Sequence, residues 1–284
     1  MTEPICSPDG PRRPAFRFIE NDGLQYHFFA GGRAFSVRLV YRPAMCVHAA
    51  WIYDDGLREI CKSDEVWRQA DSPFLDIASD IMEVRDEAGE IVVTARAANG
   101  ADGFTARVRP VHTLAWKDTF SAANDEVLHL PDLKGTLEFR GETYRTHGYC
   151  KHVEWRRAPR YTGYRFLHGI LDDGAVALWS ADAVFAYRKY DYFKMVEADG
   201  TLVVADDERS SHKQKTIYAR IGPRDIRVDF EELGAWELPL VGPSIDMMLQ
   251  QRYGTITYTE GDITETGVAV TEYGFGKFLD VPMS

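Results

Sequence analysis

The stretch Arg33–Tyr41, RAFSVRLVY, alternates apolar and polar side chains, and this alternation decides the class of fold. Successive side chains of a β-strand point to opposite faces, so a period of two places every second residue against a core. The period is not the 3.6 residues of a helix. The stretch is therefore predicted to be a strand whose buried face carries Phe35, Val37, Leu39 and Tyr41.

The same alternation recurs along the chain, with turn residues between the alternating segments. Residues 90–96 and 136–140 repeat the pattern. Pairs of aspartate and glycine can adopt the positive φ angles of tight hairpin turns, which most residues resist. Many short strands joined by such turns predict an all-β, antiparallel fold. The predicted turn positions are Asp55-Gly56, Asp173-Gly174, Asp199-Gly200, Gly261-Asp262, Gly89 and Gly141.

Helical signals are confined to two short segments. Ser72-Pro73 would start a helix that runs to about Val84, because proline is favoured in the first helical turn. Residues 243–252, PSIDMMLQQR, form the second predicted helix. Both helices are expected to plug a barrel or to bridge two domains.

The chain is predicted to contain two β domains, residues 1–125 and 126–284. Its length of 284 residues corresponds to about two domains of roughly 150 residues each. The sequence WIYDDG at 51–56 is also echoed by GILDDG at 169–174. The expected architecture is two tandem antiparallel barrels or sandwiches with one or two short helices.

Composition excludes several classes of protein. A hydrophobic share of 45% indicates a globular chain, and a net charge of −11 disfavours nucleic-acid binding. No apolar run is long enough to span a membrane, and the polar N-terminal residues do not resemble a signal peptide. The four scattered cysteines are predicted to be reduced thiols, so a soluble, cytoplasmic protein is expected. The oligomeric state stays open.

Polar and aromatic residues are most concentrated between Tyr144 and Tyr164. His152 and Glu154 are two residues apart and would share one face of a strand with Cys150. A histidine beside a carboxylate can exchange a proton near neutral pH, which predicts an acid–base pair. The alternative is that both side chains face water on an outer wall. The same segment supplies three predicted substrate-binding residues, His147, Tyr149 and Trp155.

Asp182 is the alternative catalytic acid. It lies among apolar residues, and burial raises the pKa of a carboxyl so that it can protonate an alkene. Neighbouring aromatic rings would stabilise a cationic intermediate. The simpler interpretation is a turn aspartate beside core aromatics. The remaining predicted substrate-binding residues are Trp179, Tyr187 and His48, the last of which also suits a core position.

Other chemistries have weaker support in the sequence. His147, His152 and Glu154 are residue types that bind zinc or iron, but the chain has no HExxH motif. It has no GxSxG nucleophile motif and no glycine-rich phosphate loop. No metal and no cofactor is therefore predicted.

Three segments resemble the lipocalin-like superfamily of carotenoid hydratases and AttH-like proteins. LKGTLEFRG at 133–141 resembles the strand and turn that open the second barrel of that family. GYCKHVEWRR at 148–157 is similar to its Gly-x-x-Asp-His-x-Trp-Gly signature. Residues 253–274 resemble its closing hairpin.

The resemblance implies two tandem lipocalin-like barrels with a ligand pocket inside or between them. Enzymes of this family hydrate, cyclise or isomerise hydrophobic terpenoid, carotenoid or polyketide substrates, generally without a cofactor. The signature histidine and tryptophan correspond to His152 and Trp155, with one extra residue between them. Lys151 and Arg156 replace the aspartate and glycine of the signature, and Glu154 would supply the missing acid.

The leading hypothesis is a cofactor-independent hydratase, lyase, isomerase or cyclase that acts on a hydrophobic small molecule. One alternative is a non-catalytic carrier of a hydrophobic ligand, since closed barrels enclose apolar cavities. Another is a metal-dependent hydrolase of carbon–carbon bonds. The sequence leaves the substrate and the direction of the reaction open.

Overall fold

All regular secondary structure in the described part of the chain is β. Both predicted helices are wrong where the structure describes them: Ile77–Ala78, Met82–Glu87 and Ile245–Glu260 are strands. In these segments the apolar residues recur only weakly with the helical period of 3.6, and pairing with neighbouring strands outweighs that local preference. The computed structural model describes residues 21–42, 45–63, 68–69, 77–79, 81–111, 116–119, 126–155, 161–172, 177–185, 188–205, 207–211, 215–242 and 245–278.

The first sheet contains 12 strands in the order β4-β3-β2-β1-β12-β11-β9-β8-β7-β6-β5, with β10 paired to β11. Its strands are β1 (Asn21–Ala30), β2 (Arg33–Arg42), β3 (Met45–Tyr53), β4 (Leu57–Ser63), β5 (Arg68–Gln69), β6 (Ile77–Ala78), β7 (Met82–Glu87), β8 (Glu90–Ala95), β9 (Phe104–Pro110), β10 (Trp116–Thr119), β11 (Glu126–Phe139) and β12 (Glu142–Trp155).

The second sheet contains 9 strands in the order β16-β15-β14-β13-β21-β20-β19-β18-β17. Its strands are β13 (Tyr161–Leu171), β14 (Ala177–Phe185), β15 (Arg188–Val196), β16 (Leu202–Val204), β17 (Asp207–Ser211), β18 (Thr216–Ile221), β19 (Arg224–Gly242), β20 (Ile245–Glu260) and β21 (Ile263–Phe278).

The two sheets repeat one topology. In each, the first strand pairs with the last strand, β1 with β12 and β13 with β21, and the last strand also pairs with the one before it. The predicted boundary at 125/126 precedes β11 and β12, which pair within the first sheet, and the two compact units divide between β12 and β13. The β1–β12 pairing joins residues far apart in sequence, so local patterns carry no signal for it.

Aromatic contacts show that the first sheet curls. The Phe35 ring on β2 lies 5.1 Å from that of Phe104 on β9, although three strands separate β2 from β9 in the sheet. Phe35 also meets Phe139 on β11, with 5.2 Å between ring centroids. These rings belong to one apolar cluster on one face of the sheet, here called its core face. The opposite side is called the second face.

The second sheet has its own apolar cluster and therefore its own core face. Leu167 on β13, Ile256 on β20 and Ala269 on β21 belong to it. Because side chains alternate along a strand, the residues between these positions lie on the second face of that sheet.

Positive φ angles occur at the predicted hairpin turns. Arg140 (φ 51°) and Gly141 (φ 81°) join β11 to β12, and positive φ at both central residues is the signature of a type I′ turn. Turns also lie at four of the other predicted positions, residues 55–56, 89, 199–200 and 261–262. The predicted turn at 173–174 lies outside the described residues.

Charged side chains connect the hairpins at one end of the first sheet. Arg140 contacts Asp54 at 2.8 Å and Asp102 at 2.6 Å, so the β11–β12 turn is joined to the β3–β4 and β8–β9 connections. Arg33 adds a contact of 2.7 Å to Asp54. The pKa of Asp54 is lowered, chiefly by the Arg33 hydrogen bond, and that of Asp102 chiefly by the hydrogen bond from Asn99.

The second sheet carries a comparable network around one arginine. Arg224, at the start of β19, contacts Glu260 at 2.8 Å and also pairs with Glu197, which follows β15. Tyr258 donates to Glu260. The described residues contain no helix that is long and apolar enough to cross a membrane.

Candidate functional site

The alternation along β12 divides the predicted site residues between two faces. Cys150 belongs to the core cluster of the first sheet, so His152, two residues on, shares the core face. His147 and Tyr149 lie on the second face for the same reason. A metal site built on His147 and His152 is therefore not assembled, and the described residues contain no cluster of three metal-ligating side chains.

On the core face, His152 shares a cross-strand row with His48. The register pairs His48 with Leu39, Leu39 with Leu24, and Leu24 with His152. Both histidines are buried, at 0% and 3% exposure. The structure thus places two predicted residues on one face, three strands apart.

A buried phenol and thiol lie in the adjacent row. Tyr26 is the register partner of Cys150, and their side chains are hydrogen-bonded. Burial raises the pKa of both groups well above their ordinary values. Cys150 is consequently a thiol at neutral pH rather than a nucleophilic thiolate.

The second face of the first sheet carries a buried cluster of rings. The His27 imidazole on β1 stacks on Tyr149 of β12, with 4.8 Å between centroids and 10° between planes. Trp51 on β3 lies 5.7 Å from His27. All three side chains are buried. They form a rigid aromatic layer on a sheet face that the apolar core does not use.

Polar side chains adjoin this layer. Gln25 and Lys151, register partners two residues from His27 and Tyr149, are 2% and 3% exposed. Burying a lysine and an amide is costly in an apolar interior, so this face is not ordinary core. His27, Trp51, Tyr149, Gln25 and Lys151, together with His147, are called the His147 cluster below.

His147 is the partly exposed member of the cluster. It is two residues from Tyr149 on the same face, and its register partners are Phe29 and Lys134. Its Nδ1 atom is buried and has no hydrogen-bond partner among the described residues. Burial, and secondarily the Lys134 ammonium, hold the pKa of His147 below its ordinary value. The ring is therefore neutral at neutral pH.

The second sheet has a related polar pair on its second face. Gln251 Nε2 donates to Glu272 Oε2 at 2.9 Å, and both side chains are buried. His168, 1% exposed, pairs in register with Val270, two residues before Glu272. These positions correspond to those of the first sheet: His168 to His27 and Glu272 to Lys151.

The other predicted residues lie at separate places. Trp179 and Asp182 on β14 are register partners of His168 and the buried Arg165. Glu154 and Trp155 end β12 and pair in register with Asp22 and Asn21. Tyr187 lies outside the described residues. None of these assignments to catalysis or binding is tested by the structure, and they stay predictions.

Sequence reasoning predicted Tyr149 but missed His27, Lys151 and Glu272 among the buried members of the second faces. His27 alternates with apolar neighbours, and many strands share that pattern. Its stacking on Tyr149 depends on the β1–β12 register, which the local sequence does not indicate. Lys151 and Glu272 belong to the segments 148–157 and 253–274, whose sequences give no sign that these two side chains are buried. Their burial is a property of the folded sheet.

No family model matches the chain, and neither does any curated protein. Among solved structures, the chain is similar to kievitone hydratase from Nectria haematococca, with 10% identity and a TM-score of 0.60 over 91% of this chain and 90% of that one. It is also similar to CghA in complex with Sch210972, with 11% identity and a TM-score of 0.59 over 90% and 88% of the two chains.

A third similar structure is a putative AttH protein from Nitrosomonas europaea, with 13% identity and a TM-score of 0.51 over 95% of this chain and 98% of that one. These are lipocalin-like tandem-barrel proteins, and the likeness shows the same fold. The resemblance predicted from residues 133–141, 148–157 and 253–274 is confirmed at the level of the fold.

Proposed function

We propose that the chain is an enzyme that transfers protons to and from a hydrophobic small molecule, as in the addition of water to a double bond or a cyclisation. The observation that carries the proposal is the partly exposed imidazole of His147, two residues along the same strand face from the buried, stacked ring of Tyr149. Two proteins of the same fold are named as a hydratase and as a complex with a small molecule, which supports an enzyme on this scaffold.

His147 suits the role of general base. Its lowered pKa keeps the imidazole neutral near pH 7, so the ring can accept a proton from the substrate and return it. Tyr149, two residues along the same face of β12, stacks on His27, so buried rings hold the strand segment beside His147. Fixed geometry is what proton transfer requires, because misplacement of the base slows the reaction steeply.

The buried Lys151 and Gln25 extend the cluster toward a ligand that carries oxygen. Lys151 lies four residues from His147 along the extended strand β12, about 13 Å away, so its ammonium would contact a carbonyl or phenol oxygen at the far end of an elongated substrate and not the atoms that exchange the proton. In this proposal the substrate is an apolar molecule with at least one such oxygen. The enzyme then combines an apolar surface with one base and one cation.

The predicted pair of His152 and Glu154 is the alternative placement of the same chemistry. It is supported by the cross-strand row that joins His152 to His48 on the core face. The two placements make opposite predictions: His147→Gln abolishes turnover under the first and His152→Gln under the second.

The experiment is a mass-spectrometric screen of apolar phenols, enones and polyenes for an added water or an isomeric product, followed by His147→Gln. We expect the substitution to lower kcat by about 10²–10⁴, the usual contribution of a general base. Arg145→Gln is the matched control, because Arg145 lies on the same strand and face but is exposed.

Retention of full activity by His147→Gln, with a native circular dichroism spectrum, would contradict the assignment. Tight binding of panel compounds without any product would instead identify a carrier and contradict the proposed enzyme.

A further inference from the structure

Two buried polar atoms on adjacent strands of the second sheet, on its core face, have no hydrogen-bond partner among the residues that the structure describes. They are Nε of Arg252 on β20 and Oγ1 of Thr271 on β21. The two residues are direct register partners, and both lie on the face that carries Ile256 and Ala269. Side chains opposite each other in an antiparallel pair have Cβ atoms about 4.5–5.5 Å apart, so the two side chains are neighbours.

The Arg252 guanidinium is held in place by its other nitrogens. Nη1 donates to Glu232 at 3.0 Å and Nη2 donates to Gln250 Oε1 at 2.9 Å. The Tyr273 ring lies 4.4 Å from Cζ. With both ends of the fork engaged, the remaining Nε–H points in a fixed direction and needs an acceptor. The Thr271 hydroxyl, 2% exposed, needs a partner as well.

In the corresponding row of the first sheet, the polar side chains are hydrogen-bonded to each other. Matching the strand pairings places Thr271 at the position of Cys150, Leu167 at that of Tyr26, and Arg252 at that of Leu130. In the first sheet the thiol of this row is hydrogen-bonded to the phenol and is flanked by a leucine. In place of this hydrogen-bonded pair, the second sheet has a guanidinium N–H and a hydroxyl that form no hydrogen bond among the described residues.

The charge around these donors favours an anion. Glu232 is contacted by Arg252 at 3.0 Å and by Lys215 at 3.3 Å, so these three side chains together carry a net positive charge. A charge-assisted hydrogen bond from a guanidinium to a carboxylate is stronger than one to a neutral acceptor.

We propose that Arg252 Nε–H and the Thr271 hydroxyl bind one carboxylate oxygen of a small aromatic acid, with Tyr273 beside its ring. The site lies in the second sheet, apart from the His147 cluster, and does not depend on the proposed enzymatic role. A carboxylate oxygen can accept a hydrogen bond from each of these groups and would supply both with the partner that they lack among the described residues.

The test is titration of the full chain with sodium benzoate, followed by the melting temperature and by the ¹H–¹⁵N signal of the Arg252 Nε–H, which is assigned as the signal that Arg252→Lys removes. We expect a concentration-dependent rise in Tm and a shift of that signal. Benzylammonium chloride at the same ionic strength is expected to produce neither.

Thr271→Val keeps the shape of the side chain and removes the hydroxyl. We expect at least tenfold weaker binding of benzoate and, without ligand, a higher Tm than the wild type, because a buried hydroxyl without a partner is costly. Thr257→Val, the same change on the second face of β20, should leave the affinity unchanged. Equal benzoate affinity in Thr271→Val, or no shift of the Arg252 signal in the wild type, would overturn the proposal, as would a lower Tm for ligand-free Thr271→Val.

Discussion

The two sheets have the same strand pairings but place different chemistry in corresponding rows. The row of the first sheet that contains His152 consists of His48, Leu39, Leu24 and His152. The corresponding row of the second sheet consists of Asp191, Asp182, Arg165 and Tyr273. The same strand pairing is therefore compatible with different residue types in corresponding rows.

The second faces differ in the sign of their buried charge. Both contain a buried histidine on the first strand, but the closing strand contributes Lys151 in one sheet and Glu272 in the other. In the first sheet the closing strand supplies a ring, Tyr149, that stacks on the histidine, and the corresponding residue of the second sheet is Val270. This difference is why the proposed active site is placed on the first sheet.

The largest predicted effect concerns the aromatic core that the first sheet builds between distant strands. Phe35→Ala removes a fully buried ring that contacts Phe104 and Phe139. We expect a loss of about 3–5 kcal/mol in the free energy of unfolding, measured by urea denaturation. A loss below 1 kcal/mol would show that this contact does not hold the curled sheet together.

Gly148→Ala tests a position at which the two sheets differ. A Cβ atom at Gly148 would lie 2.4 Å from the His27 backbone oxygen, whereas the corresponding residue of the second sheet is Ala269. We expect a loss of about 2–3 kcal/mol in urea denaturation, because the clash is with backbone rather than with a flexible side chain. Ala269→Gly serves as the control for altered β propensity. Wild-type stability of Gly148→Ala would contradict the close β1–β12 contact beneath the His147 cluster.

The smallest predicted effect concerns the charged networks. Asp54→Asn removes a carboxylate shared by Arg33 and Arg140 and should cost about 1 kcal/mol in the free energy of unfolding. Because the folded-state pKa of Asp54 lies below its ordinary value of 3.8, this stability is present above about pH 4 and is lost as the pH falls further. Asp225→Asn, which breaks one exposed pair with Arg220, is the control. An equal loss of unfolding free energy in both variants would contradict a cooperative network. So would an Asp54→Asn variant whose stability falls below pH 4 as steeply as that of the wild type.

Much of this fold is readable from alternation, because a strand with one buried face needs apolar residues at every second position. Residues 33–41 lie in β2, and the turn at Gly141 falls between β11 and β12. The helix predicted at 243–252 is wrong because Pro243 and the spacing of the apolar residues resemble the start of a helix. In the structure, residues 245–260 pair with β21 along their whole length. Pairing with a distant strand outweighs such local signals.

The candidate site was only partly predictable, since a cluster requires register as well as alternation. His147 and Tyr149 were predicted as binding residues, but their neighbour His27 arrives from β1 through a non-local pairing. The similar sequences at 51–56 and 169–174 lie at the ends of different strands, because the first begins in β3 and the second begins in β13. These strands do not occupy corresponding places in the two sheets.

The most direct test of the central claim is the pH dependence of kcat/KM, measured with a substrate found in the screen for the wild type and for His147→Gln. A neutral base is inactive once protonated, so the rate should fall as the pH decreases through the pKa of His147. The account predicts a midpoint below the ordinary value of 6.5, and loss of that limb in His147→Gln. A midpoint at or above 6.5, or a limb that persists in the variant, would contradict His147 as the base.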